Sequence, residues 1–73
     1  MEVSLLDYVA GMLGVYISDL KIPVFQHRAL YVLSGIREKR FPMKEWNTAL
    51  SYIFRCPCEL TTFDEVRQFL SQR

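Results

Sequence analysis

Little in this chain is suited to covalent chemistry. It holds one histidine and two cysteines in 73 residues. The cysteines fall together as Cys56-Pro57-Cys58, which is no disulfide framework and fits a reducing compartment. Their spacing is one short of the thiol-redox Cys-x-x-Cys. Structural zinc usually wants four Cys or His ligands, and adding His27 stops the count at three unless two chains share an ion. The pair therefore reads as small packing groups at the core edge. There is no glycine-rich phosphate loop and no His-Glu-x-x-His. No carboxylate pair is obviously buried, because Glu2, Asp7, Asp64 and Glu65 are explained as helix-start charges or caps. A chain this short also offers little room for a substrate pocket. The expectation is a non-catalytic protein with no metal, no cofactor and no small-molecule substrate.

Long apolar runs are missing too. None approaches the roughly 18 residues needed to cross a bilayer. No stretch combines a basic start, an apolar centre and a cleavage site. These readings predict a soluble, cytoplasmic protein. Strands leave no trace either, for no segment sustains a period of two. Repeats and low-complexity tracts are absent.

What is present is apolar and helical. Hydrophobic residues make up 51% of the chain and charged residues 23%, the reverse of a disordered composition. A chain this small buries only about 60% of its unfolded surface. Its ten aromatics and many aliphatics exceed what one small core can hide. The surplus must lie on the surface or against a partner.

Four helical patterns are predicted in one domain, residues 1–73. The first runs from about Ser4 to Val15, capped by Ser4 and Asp7 and ended by Gly14. Leu5, Val9, Met12, Leu13 and Tyr16 share its apolar face. The second starts with Pro23 in the first turn, where the missing N–H costs nothing. Phe25, Ala29, Val32, Leu33 and Ile36 form its stripe, and it continues into Arg37-Glu38-Lys39-Arg40. The third starts with Pro42, after a link of about two to four residues that favours an antiparallel hairpin. Met43, Trp46, Leu50 and Ile53 line its face. After a break at residues 55–60, Thr61 or Thr62 caps the last helix, with Asp64 or Glu65 completing a capping box. Phe63, Val66 and Leu70 give its face, and its end frays near Arg73. The fold class is thus all-α: a compact bundle of about four short helices with a central antiparallel helical hairpin.

Residues 9–20 resemble a helix-turn-helix, with Ala10 as the small contact and Gly14 as the turn. On that template the reading helix would start near Ser18 and meet Pro23 in its second turn. A proline there costs about 3 kcal/mol. Between Tyr16 and Ile22 only Lys21 could read a base. The stretch is better read as a glycine-ended helix, an irregular turn and a proline-started helix.

Charge is unevenly spread. Residues 1–20 hold Glu2, Asp7 and Asp19 and no base, whereas residues 21–55 hold seven bases against two acids. Arg37, Lys39, Arg40 and Lys44 cluster where the second and third helices meet. Tyr31 and Tyr52 fall on or near polar helix faces, and Val24 and Leu30 flank the core stripe. Exposed tyrosine beside arginine is the composition of interface hot spots. The sequence therefore predicts an interaction or regulatory module that binds another protein or a copy of itself. Tyr31, Tyr52, Leu30, Arg37, Lys39, Arg40 and Lys44 are its candidate contacts. The alternative is sequence-nonspecific nucleic-acid binding, with the basic junction gripping phosphates.

Overall fold

The computed structural model describes residues 3–72. The helix-start charge expected of Glu2 and the fraying expected near Arg73 concern residues outside that range. The first helix, α1, spans Leu5–Leu13. Ser4 caps it: its Oγ accepts the Asp7 N–H at 3.1 Å and donates to Asp7 Oδ2 at 2.8 Å. Gly14 ends it in the left-handed region, at φ 69°, which a side chain would resist. A five-residue 3₁₀ turn, Ile17–Lys21, follows. Asp19 Oδ2 holds the Tyr16 N–H at 3.2 Å at its start. The second helix, α2, spans Pro23–Ser34, with proline in its first turn. Helix, 3₁₀ turn and proline-started helix leave no recognition helix in residues 9–20.

α2 stops earlier than the periodicity predicts. It ends at Ser34, and Glu38–Arg40 form a separate 3₁₀ turn. The link to the third helix is accordingly residues 35–42, not two to four residues. The cause is tertiary. Trp46, fully buried, donates its Nε1–H to the Glu38 carbonyl at 2.8 Å, and Phe41 is buried one turn further on. A helix continued through residue 40 would carry both groups away from those positions. Pro42 is the residue preceding the third helix, not part of its first turn.

The third helix, α3, spans Met43–Phe54, and the fourth, α4, spans Phe63–Ser71. α3 runs back along α2, since Gln26 near the start of α2 donates to the Ile53 carbonyl near the end of α3 at 2.8 Å. α4 opens on a capping box: Thr62 Oγ1 accepts the Glu65 N–H at 3.2 Å, and Glu65 Oε1 accepts the Thr62 N–H at 3.1 Å. No strand occurs among the described residues.

The core is centred on α3, which supplies Trp46, Ala49, Leu50 and Ile53. Leu5 and Val9 of α1, Leu20 of the 3₁₀ turn, Ala29 and Leu33 of α2 and Val66 of α4 close around them. No polar or charged residue is buried among the described residues. The Cα radius of gyration is 11.1 Å, against about 11 Å expected of a compact chain this long.

Two residues placed on the apolar face of the first helix are instead in solvent. Met12 is 61% exposed and Tyr16 is 82% exposed. α1 ends at Leu13, so Tyr16 no longer follows its spacing, and the burial of Ala10 together with Leu5 and Val9 turns the buried arc of α1 away from Met12.

Candidate functional site

The connector between α2 and α3 carries three of the predicted contacts, Arg37, Lys39 and Arg40, and Lys44 follows in the first turn of α3. All four are exposed. Glu38, in their midst, pairs with Arg67 of α4. The hydrogen bond from Arg67 is the main cause that holds the Glu38 carboxyl below the usual glutamate range, and Arg67 is raised in turn. The single acid of the connector is thereby engaged across the fold. Arg37, Lys39 and Lys44 enter no ion pair among the described residues.

Arg40 differs from its three neighbours. Its guanidinium lies 4.8 Å from the centre of the Tyr8 ring and 5.9 Å from that of Phe41. Tyr8 and Phe41 meet edge to face, with centroids 5.9 Å apart. A cation over aromatic faces is held by the ring quadrupole, worth about 0.5–1 kcal/mol at an exposed site. These groups border a surface cleft of about 510 Å3, with Ser4, Pro42 and Glu45 on the remaining sides. Glu45 ties the cleft together, since its Oε1 accepts the Leu5 N–H at 3.0 Å, joining the start of α1 to the first turn of α3. The cleft thus presents one cation, one carboxylate and two aromatic rings.

The three apolar candidates separate. Tyr31 stands on the outer face of α2 and is 85% exposed. Val24, two turns earlier, is 55% exposed, with His27 and Arg28 exposed between them. Leu30 and Tyr52 do not join that face. Both are half-buried and packed against the core, and Lys21 Nζ sits 4.5 Å over the Tyr52 ring. Each lies at the margin of its helix stripe, where the neighbouring element decides burial. The 3₁₀ turn Ile17–Lys21 covers Tyr52 through Lys21.

Tyr8 and Phe41 are the residues that sequence reasoning misses. Phe41 precedes a proline, which favours the extended backbone observed there, φ −122° and ψ 144°. That much is readable. Its meeting with Tyr8 joins positions far apart in the chain, and no local pattern encodes it.

Comparison with protein-family models, curated proteins and solved structures finds no match. No described helix is long and apolar enough to cross a membrane.

Proposed function

We propose that the protein is a small, non-catalytic, cytoplasmic interaction module that binds another protein or a second copy of itself. The reading rests on one observation, the 85% exposure of Tyr31 on the outer face of α2. A tyrosine ring offers large contact area at low entropic cost. Val24 is a second exposed apolar side chain two turns earlier, beyond exposed His27 and Arg28, and the basic connector leaves the same end of α2 that carries Tyr31. Tyr31 and Val24 would supply binding energy. Arg37, Lys39 and Lys44 would steer an acidic partner surface.

The test is a photo-crosslinking residue at position 31, with position 68 on the exposed side of α4 as control, combined with sedimentation velocity of the unmodified protein. Adducts specific to position 31, or a dimer lost in Tyr31→Ala, support the reading. A monomer with equal, diffuse labelling at both positions sinks it.

A second reading follows from the exposure of four cations within residues 37–44. Phosphate gripping there predicts gel retardation of DNA or RNA at low salt that collapses steeply as salt rises. Retardation unchanged by reversing the charge of Arg37, Lys39 and Arg40 removes it.

A further inference from the structure

We propose that Cys56 and Cys58 form a bis-thiolate site for a soft monovalent metal ion of the copper(I) class. The two Sγ atoms stand 4.0 Å apart, and both residues are half-exposed. Taking a metal–thiolate bond of about 2.3 Å as the scale, an ion between them subtends a sulfur–metal–sulfur angle of about 120°. A modest spreading of the sulfurs would open that angle toward linear. Thiolates select soft ions, copper(I) among them.

The loop holds the sulfurs at metal spacing, not at bond spacing. A disulfide needs them within about 2.05 Å, so the segment would have to close by about half the present separation. The backbone on the far side of Pro57 is tied to α3. The Cys58 N–H donates to Ser51 Oγ at 3.1 Å. Leu60 is held on both sides by Asn47, which donates to its carbonyl at 2.9 Å and accepts its N–H at 2.8 Å. Asn47 and Ser51 are one turn apart on α3, so a rigid helix supports the loop. Pro57 fixes the backbone between the thiols. Arg55 turns the chain into the loop in the left-handed region at φ 57°.

The ligand count points the same way. Among the described residues no group of three or more His, Cys, Asp or Glu could hold an ion. Tetrahedral zinc therefore lacks a ligand set within the described residues, whereas two thiolates suffice for a soft ion of low coordination number. Binding breaks two S–H bonds and forms two metal–sulfur bonds. Both protons leave to solvent, and no electron is transferred. The Cys58 Sγ contact to the Cys56 carbonyl at 3.6 Å is given up with its proton.

The experiment is an anaerobic titration of the full chain with copper(I) held by a coloured competing chelator, read by chelator absorbance and native mass spectrometry. The expected result is one copper per chain, with both thiols protected from alkylation at one equivalent. Cys56→Ser and Cys58→Ser each weaken binding at least about a hundredfold, and Ser51→Ala weakens it about tenfold by loosening the loop. Far-UV circular dichroism checks that each variant folds. Alkylation protection in the unmodified chain keeps the test independent of the variants. Copper left on the chelator by the unmodified protein overturns the proposal. So does one ion shared by two chains, or a rapidly formed Cys56–Cys58 disulfide in the metal-free chain under mild oxidant.

Discussion

Trp46→Phe is the substitution whose cost can be worked most directly. Trp46 is the one tryptophan, it is fully buried in α3, and its Nε1–H reaches the Glu38 carbonyl at 2.8 Å. Phenylalanine keeps an aromatic body in the core but has no donor. The Glu38 carbonyl then loses its protein partner, a loss of about 1–3 kcal/mol where water cannot replace it. The smaller ring leaves unfilled volume in the buried core for roughly 1 kcal/mol more. Together that is about 2–4 kcal/mol, against a total stability of roughly 4–11 kcal/mol for a chain of this length. The melting temperature should fall on the order of 10–25 °C. Urea unfolding followed by far-UV circular dichroism measures the change without depending on tryptophan emission. The connector should also loosen, so amide exchange at residues 38–41 should quicken more than at residues 47–53. A loss below about 0.5 kcal/mol, the range of ordinary surface changes, would refute the idea that this hydrogen bond ends α2 and holds the connector in place.

Three further outcomes follow from named contacts. Asn47→Ala removes both hydrogen bonds to Leu60 and should cost about 2 kcal/mol by urea unfolding. Asn47→Asp should cost no less, because a carboxylate oxygen would then face the Leu60 carbonyl. The Glu65 carboxyl lies below the usual glutamate range, chiefly through the Thr61 hydroxyl at 2.7 Å, and Glu38 lies low through Arg67. Both are depressed when folded, so their contributions are complete above the ordinary glutamate value, 4.5, and are lost as pH falls through the lower folded values. Stability should be flat on the neutral side and fall in acid, and Glu65→Gln should flatten that fall in a pH series of thermal melts. Arg40→Lys keeps the charge but loses the guanidinium that lies over Tyr8. It should shift the Tyr8 ring resonances in NMR spectra and leave global stability within about 1 kcal/mol. Unmoved Tyr8 resonances would contradict that contact.

Four helices were legible from their periodicity, and three of them start or stop on a residue whose chemistry is local. Ser4 and Thr62 cap with their own hydroxyls, Gly14 accepts a positive φ, and Pro23 opens α2. The end of α2 was not legible. Ile36 continues the spacing of Phe25, Ala29, Val32 and Leu33, so the pattern runs past Ser34. Gly35 itself stays right-handed, at φ −89°. What stops the helix is Trp46 taking the Glu38 carbonyl and the core taking Phe41, both contacts across the fold. The candidate surface divides on the same line. Tyr31 is exposed on α2, and Arg37, Lys39, Arg40 and Lys44 are exposed in the connector and the first turn of α3. Leu30 and Tyr52 sit at stripe margins, where a neighbour decides, and the neighbour of Tyr52 is the 3₁₀ turn that periodicity did not resolve. The spacing of the two thiols was equally out of reach, since it depends on Ser51 and Asn47 folding the loop back onto α3.

The groups that hold the fold and those that could meet a partner are nearly disjoint. Trp46, Asn47, Ser51, Thr62 and Glu65 spend their polar atoms inside the chain. Tyr31, Arg37, Lys39 and Lys44 are exposed, and none of the four belongs to the buried core. A surface made of such residues can change its partner without endangering a domain whose margin is small. Arg40 is the exception, exposed yet lying over Tyr8, which itself packs against the core. A partner carboxylate that engaged the guanidinium would therefore pull on a group already tied to α1. Through Phe41 and Pro42 the same residue is joined to the start of α3. Were the connector to bind a partner as proposed, Arg40 is the side chain at which that contact would meet the packing of α1 and α3.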